Sequence, residues 1–332
     1  MPAFDSRFPG FWTDNPDWEE TLEALERGGS VNPEESALLR QFAETGYVII
    51  RGAISPRLAE ALVADIEATG RNSSYYIART NRQSYRAASR DVLEDPRARL
   101  IDIHVNSRLA RRAMFATPIK RFLDLVFRNE LLAFQTLTFR YGSQQRMHQD
   151  GAYVVVSEPS QFAASWIALE DVKKGSGELV YVPGSHRLPD FLFSGTSKSW
   201  LPKRDGQEQA GQFNRHLDTN IQSRNLERAS FLPKAGDALI WAADLVHGGS
   251  KIEHRATRHS LVTHYCPTTV SPNYSKFSGH FHTVQVSPGC YISSRHYDLN
   301  KYANQTAARF LRMLPGGDRF TRLRPSFPGY GQ

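Results

Sequence analysis

Apolar and polar positions change their pattern near residue 131, where helical periodicity gives way to short strand-like runs. Upstream, Asn32 and Pro33 combine a helix N-cap with proline at the first helical position. Leu39 and Phe42 follow at helical spacing, and Gly46 ends this helix. Similar signals predict a strand at 47–50 and helices beginning near Ser55 and Thr117. Residues 1–30 predict an irregular, aromatic-rich arm, and residues 70–105 give no assignment.

Downstream, β-branched and aromatic runs separated by Gly, Pro or Asp predict strands at 133–141, 163–169, 179–182, 238–241 and 260–265. Helices followed by strands indicate an α+β chain with a β-sandwich or barrel. We expect one domain, 1–332, with a helical layer at about 31–130, a core at about 131–267 and a C-terminal segment at 268–332. A polar, basic insert at 188–233 predicts a lid or a substrate loop.

Composition narrows the class of protein. The chain has 332 residues, of which 40% are hydrophobic and 23% charged, as in soluble globular proteins. No run approaches the ~20 apolar residues that span a membrane, and no secretory signal is visible, so we expect a cytoplasmic protein. Its two cysteines, Cys266 and Cys290, are expected to stay reduced and unpaired.

The charge balance bears on the partner. The net charge is +7, but the basic residues are not interleaved with stacking aromatics, so we expect no nucleic-acid groove. The excess of positive charge weakly favours an anionic small-molecule substrate.

The segment around His148 carries the candidate chemistry. His148 and Asp150 are two positions apart and would lie on one face of an extended segment. His247 ends an apolar stretch and is followed by two glycines that allow a sharp turn. Two histidines and one carboxylate form the ligand face of non-heme Fe(II) oxygenases. The same set suits a zinc hydrolase or a non-catalytic, cupin-like binding protein.

Arg258 and Ser260 follow the third ligand candidate. A guanidinium binds a carboxylate through two parallel hydrogen bonds, and a nearby hydroxyl adds another. A bound 2-oxoglutarate needs such a pair for its distal carboxylate, whereas a zinc hydrolase has no need of Arg258. This pair therefore favours the oxygenase.

Taken together, His148-x-Asp150, His247 and Arg258-x-Ser260 resemble the phytanoyl-CoA dioxygenase family, which includes phytanoyl-CoA hydroxylase and ectoine hydroxylase. Segments 133–136, 166–171 and 177–186 resemble it too. The resemblance implies a double-stranded β-helix, the jelly-roll core of cupin-like proteins, behind the helical layer.

The resemblance also implies roles and a reaction. His148, Asp150 and His247 would hold Fe(II), and Arg258 with Ser260 would bind 2-oxoglutarate, whose pocket Trp166, Gln135 and Leu137 would line. With O₂, the family reaction hydroxylates an unactivated C–H bond of a small or medium-sized metabolite and releases succinate and CO₂. Related halogenases have a small residue in place of the aspartate, so Asp150 implies hydroxylation.

Other residues near these motifs have less specific interpretations. Tyr153 faces the substrate or packs in the core. His186 predicts a structural hydrogen bond. His254, His259 and His264 are expected to have surface or packing roles, with His259 pointing away from its neighbours Arg258 and Ser260.

Overall fold

The structure is a computed structural model that describes residues 6–72, 76–79, 85–254, 256–272 and 283–294. Its α-helices are α1 (Trp18–Arg27), α2 (Pro33–Thr45), α3 (Pro56–Asn72), α4 (Arg90–Glu94), α5 (Arg108–Met114), α6 (Thr117–Phe127) and α7 (Pro202–Ser223). All but α7 precede residue 131. The helical layer therefore comes before the main sheet strands, as the change in periodicity predicts.

The strands are β1 (Tyr47–Ile50), β2 (Ile77–Arg79), β3 (Tyr85–Ala87), β4 (Arg99–Ile101), β5 (Leu131–Phe139), β6 (Ala163–Ala168), β7 (Leu179–Tyr181), β8 (Ala229–Phe231), β9 (Ala238–Ala242), β10 (His247–Gly249), β11 (Ser260–Pro267), β12 (Val284–Ser287) and β13 (Cys290–Ile292). The large sheet has the order β1-β9-β6-β11-β5-β4-β2-β3, with β13 also paired to β5 and β12 to β13. A small sheet has the order β10-β7-β8.

The inner faces of the two sheets pack against each other. Trp166 of the large sheet meets Phe231 of the small sheet edge-on, with ring centroids 5.7 Å apart. Tyr47 and Tyr181 make a second contact between the sheets, at 4.5 Å. Side chains of a strand alternate between its two faces. Ile167, next to Trp166, accordingly packs outward into the core shared with the helices. The α+β fold with a jelly-roll core is confirmed.

Helix α2 begins and ends where the sequence indicates. The Asn32 side chain accepts a hydrogen bond from the backbone N–H of Glu35, and the Glu35 carboxylate accepts one from the N–H of Asn32. This capping box satisfies two backbone donors that the first helical turn leaves unpaired. Gly46 adopts a left-handed conformation with φ of 77° and ends the helix.

Two expectations require correction, and one segment without an assignment proves to contain strands. The aromatic-rich arm contains helix α1, in which Trp18 and Leu22 are buried one turn apart. Residues 70–105, left without assignment, contain β2, β3 and β4, which extend the large sheet. The insert at 188–233 is not wholly a loop, because it contains the 22-residue helix α7 and β8, which pairs with β7. In each case pairing or packing with distant residues outweighs a weak local pattern.

Among the described residues, no helix combines the length and the apolar character needed to cross a membrane. The expected C-terminal segment, 268–332, lies mostly outside the described residues.

Candidate metal centre and cosubstrate pocket

His148, Asp150 and His247 come together in the interior between the sheets, and all three are buried. Two reciprocal backbone hydrogen bonds join the histidines: each N–H donates to the carbonyl of the other over 2.9 Å. Asp150 opens the single 3-10 turn Asp150–Ala152 directly after this pairing. One ligand atom from each residue lies within 4.8 Å of the other two. The structure therefore brings together the three residues that the sequence separates.

Both imidazoles are held in one tautomer. Nδ1 of His148 donates to the carbonyl of Arg146 over 2.8 Å, and Nδ1 of His247 donates to that of Leu245 over 2.9 Å. Because a carbonyl oxygen only accepts, the proton is on Nδ1 and the Nε2 lone pair is available to a metal. The two Nε2 atoms lie 3.6 and 3.7 Å from the carboxylate oxygens of Asp150.

The charge states of the group suit a cation. Burial opposes ionisation of Asp150, but His247 and His264 outweigh that effect and hold its pKa well below the usual range. Burial lowers the pKa of His247 to about 4. At neutral pH the site therefore presents an ionised carboxylate and a neutral imidazole, the forms in which these groups bind metals.

Three further residues contact the ligand atoms, and the sequence motifs did not identify them. Trp241 donates its indole N–H to Oδ2 of Asp150 over 2.9 Å, and Nε2 of His264 lies 3.3 Å from the same oxygen. The side-chain amide of Gln145 donates to Nε2 of His148 over 3.0 Å. His264 packs against Phe134 and Phe162, in line with the expected packing role, and in addition contacts a candidate metal ligand. Its position depends on the strand register, which includes a bulge between His264 and Tyr265.

A second polar group lies at the start of strand β11 and just before it. Arg258 and Ser260 are both buried, with exposed fractions of 3% and 0%. Nε of Arg258 and Oγ of Ser260 have no hydrogen-bond partner among the described residues. Burial lowers the pKa of Arg258 to about 10, so the guanidinium stays charged at neutral pH. Buried polar atoms are normally satisfied, so these two unpaired donors are the groups that an anionic ligand would satisfy.

The other three pocket candidates lie on strands that flank β11. The guanidinium carbon of Arg258 lies 5.1 Å from the ring centroid of Trp166. Trp166 and Leu137 are the register partners of Val262 on its two sides, and Gln135 is the partner of His264. The inner face of β11 thus runs from His264, beside Asp150, to Ser260. At about 3.3 Å per residue this is roughly 13 Å.

These residues fit Fe(II) with 2-oxoglutarate. Two imidazole nitrogens and one carboxylate oxygen form the ligand face that leaves positions open on a ferrous ion. The same interior holds a cation with an unpaired donor, as the far end of a dicarboxylate requires.

The remaining histidines near the motifs lie elsewhere. His259 pairs with Glu67 through Nε2, at 2.8 Å, consistent with a side chain that points away from Ser260. Nε2 of His186 donates to the carbonyl of Ala43 over 3.2 Å, which is a structural hydrogen bond. His254 is exposed.

Comparison with known proteins gives a family match. The model of the family described as "Phytanoyl-CoA dioxygenase (PhyH)" matches residues 42–260, more than half of the chain. The rice protein "Phytanoyl-CoA dioxygenase 1" (Oryza sativa subsp. japonica) is 28% identical over 130 residues. That alignment covers 38% of this chain and 40% of the rice protein, so the chain matches less than half of its relative's length.

Solved structures share the fold. The epimerase SnoN, in complex with Fe3+, alpha ketoglutarate and nogalamycin RO, superposes with a TM-score of 0.54 at 18% identity, covering 72% of this chain and 86% of SnoN. Apo EctD from S. alaskensis superposes with a TM-score of 0.50 at 16% identity, covering 81% of this chain and 84% of EctD. At these identities the likeness concerns the fold.

Proposed function

Because this chain belongs to the phytanoyl-CoA dioxygenase family, we propose that it is an Fe(II)- and 2-oxoglutarate-dependent oxygenase. Its proposed reaction is hydroxylation of an unactivated C–H bond in a small or medium-sized metabolite. One observation carries this proposal: the buried trio of His148, Asp150 and His247 shares an interior with Arg258, whose Nε has no partner among the described residues.

At the metal, the chain supplies ligands whose orientation is set in advance. His148 and His247 offer Nε2 because backbone carbonyls occupy their Nδ1 protons. The indole of Trp241 holds the Asp150 carboxylate in place. Gln145 must withdraw its amide from Nε2 of His148 when a metal binds. The bound ion, 2-oxoglutarate and O₂ supply the oxidative chemistry, which releases succinate and CO₂ and delivers a hydroxyl group to the substrate.

At the far end of the pocket, Arg258 and Ser260 bind the distal carboxylate of 2-oxoglutarate. The guanidinium is stacked near Trp166, which limits its side-chain rotation and shields the ion pair from water. Leu137 and Gln135 lie on β5, where they would line the pocket between the distal carboxylate of 2-oxoglutarate and the metal. An ion pair of this kind is strong because both partners are removed from bulk solvent.

The substrate approaches past Tyr153. This side chain is 45% exposed, and its ring centroid lies 5.7 Å from that of His148. The Trp200 ring meets it edge-on at 6.3 Å. This pair of an exposed tyrosine and a half-buried tryptophan beside the metal ligands suits an apolar portion of a substrate. The net positive charge favours a substrate that also carries an anionic group.

Both cysteines are buried and unpaired, which is consistent with a reducing cytoplasm.

Succinate release under air tests the proposal. Purified protein is assayed with Fe(II) and 2-oxoglutarate across a metabolite panel, and the products are examined by mass spectrometry for a gain of one oxygen. We expect succinate that depends on both additions and is absent from Asp150→Ala. A zinc hydrolase would instead act without 2-oxoglutarate and retain zinc through dialysis. A non-catalytic binding protein would bind its ligand tightly and release no succinate. Either result would overturn the proposal.

A further inference from the structure

The insert at 188–233 is anchored directly to the segment that carries Asp150. The backbone N–H of Trp200 donates to the carbonyl of Ala152 over 2.9 Å. Two residues before Trp200, the side chain of Lys198 enters the interior, with an exposed fraction of 7%. The insert therefore contacts the segments next to the candidate metal ligands, through both its backbone and a buried cation.

Lys198 lies in a compact group of oxygen acceptors. Its Nζ is 2.7 Å from Oδ2 of Asp244, 2.9 Å from Oδ1 of Asp190 and 3.1 Å from Oγ of Ser160. A buried ammonium is costly unless it is paired and hydrogen-bonded, and here two carboxylates meet it. Burial disfavours the charge, but Asp244 and Asp190 outweigh burial and raise the pKa of Lys198.

Asp244 connects this cation to both ligand segments. Its carbonyl accepts a 2.7 Å hydrogen bond from the side chain of Gln149, the residue between the two ligands His148 and Asp150. The next residue, Leu245, provides the carbonyl that fixes the His247 ring. The carboxylate of Asp244 also packs on Gly151, where an added Cβ would lie 3.1 Å from Oδ1. A shift of Asp244 would therefore move both halves of the ligand set.

We propose that Lys198 is a positioning residue that sets the separation between the His148–Asp150 segment and the His247 segment, and so tunes metal affinity from the insert. The ammonium holds Asp244, and Asp244 holds Gln149 and the approach to His247. The proposal rests on the metal site of the proposed function. It adds that the insert contributes a residue to the organisation of that site without contacting the metal.

The two carboxylates bound by Lys198 provide a matched pair of variants. Asp190 belongs to the insert, where it also accepts hydrogen bonds from Ser6 and the N–H of Arg7. Among the described residues it makes no hydrogen bond or ion pair with the ligand segments. Asp244 belongs to the ligand segment. Asp190→Asn and Asp244→Asn therefore perturb the same cation to a similar extent, but only the second change acts on the metal centre.

The test measures Co(II) affinity by calorimetry and Co(II) geometry by visible absorption, in full-length protein shown to be folded by circular dichroism. Loss of a residue that holds metal ligands in place typically lowers metal affinity by about 10- to 100-fold. We therefore expect a loss of that size for Lys198→Met and a smaller loss for Asp244→Asn. Lys198→Arg should recover much of the affinity. Asp190→Asn should stay within about 3-fold of wild type, well below that range. Lys234→Met, which removes an exposed ion pair to Asp171, controls for the loss of a lysine.

The outcomes separate the two proposals. If wild-type protein binds no Co(II), the proposed metal site itself fails. If wild type binds but Asp244→Asn and any folded Lys198→Met bind equally well with an unchanged spectrum, only the positioning role of Lys198 fails. Equal losses for Asp190→Asn and Asp244→Asn would also overturn it, because a purely structural cation would not distinguish them. Should Lys198→Met not fold, the two aspartate variants decide the question.

Discussion

Trp241 donates its indole N–H to Oδ2 of Asp150 across 2.9 Å in the buried interior. The two residues are distant in sequence, and β9, which carries Trp241, places the indole beneath the carboxylate. The Trp241 ring also packs on His247, with ring centroids 4.8 Å apart. One aromatic side chain thus touches two of the three candidate ligands.

Trp241→Phe should weaken metal binding. The substitution keeps most of the ring packing but removes the hydrogen bond that orients Asp150. We expect Co(II) affinity to fall by about 10- to 100-fold, measured by calorimetry. Trp12→Phe is the matched control, because Trp12 also donates its indole N–H, to the carbonyl of Leu125 over 3.0 Å, far from the site. Similar affinities for the two variants would contradict a role for Trp241 at the metal.

Arg258→Gln should weaken 2-oxoglutarate binding and spare the metal. Truncating one partner of a buried, hydrogen-bonded charge pair costs about 2–5 kcal/mol of binding free energy. We expect 2-oxoglutarate to bind Co(II)-loaded protein more weakly by that amount of free energy, which raises its dissociation constant. The affinity for Co(II) in the absence of 2-oxoglutarate should not change. Arg258→Lys should restore only part of the binding, because an ammonium cannot form the two parallel hydrogen bonds.

The control for this prediction is Arg121→Gln, which breaks a partly exposed pair with Glu35. It should leave 2-oxoglutarate binding unchanged. If folded Arg258→Gln protein bound 2-oxoglutarate as tightly as wild type does, Arg258 would not be part of the cosubstrate pocket.

Gly46→Ala should destabilise the fold more than Gly29→Ala does. Both glycines have positive φ, 77° and 64°, so alanine at either position costs about 1–2 kcal/mol from backbone strain. At Gly46 the new Cβ would also lie 2.6 Å from the His186 ring, whereas at Gly29 it would meet no described atom within 4 Å. Overpacking typically costs about 1–3 kcal/mol, which at Gly46 adds to the cost of the backbone strain. Urea unfolding of the two variants measures the difference, and equal losses would contradict the close contact with His186.

Asp14→Asn should stabilise the protein at neutral pH. Burial raises the pKa of Asp14 to about 6, and nearby Asp244 adds to the rise, while the N–H of Phe11 opposes it. Between roughly pH 4 and 6 the folded state therefore binds more protons than the unfolded state, so stability falls as pH rises through this window. Above this window the charged carboxylate lowers the free energy of unfolding by about 3 kcal/mol, because a pKa difference of one corresponds to about 1.36 kcal/mol.

The asparagine variant should recover up to that amount at pH 7.5 and little at pH 4.5, because its oxygen can still accept from Phe11. Urea unfolding at both pH values tests this, with the exposed Asp17→Asn as the control. The same change in stability at both pH values would contradict a raised pKa for Asp14.

The sequence predicts those features that local signals determine. The Asn32 cap and Gly46 delimit α2 correctly because both act within one helical turn. The α+β fold and the family resemblance are confirmed, the latter over residues 42–260. The spacing of the motifs identified His148, Asp150 and His247 as one group, and the structure brings them together.

The sequence did not predict features that arise from strand register and long-range pairing. His264 reaches Asp150 because β11 pairs with β5 and β6 in a register that includes a bulge, which no local pattern encodes. β8 is short and has only one buried residue, Phe231, so it looked like part of a polar insert. Lys198 resembles a surface lysine until the fold places Asp190 and Asp244 around it.

The most direct test of the central claim is a crystal structure of the protein grown anaerobically with Fe(II) and 2-oxoglutarate. We expect one iron ion bound by Nε2 of His148, Nε2 of His247 and a carboxylate oxygen of Asp150, with the distal carboxylate of 2-oxoglutarate on the guanidinium of Arg258 and the hydroxyl of Ser260. An ion bound elsewhere, or these three side chains directed to different places, would contradict the account.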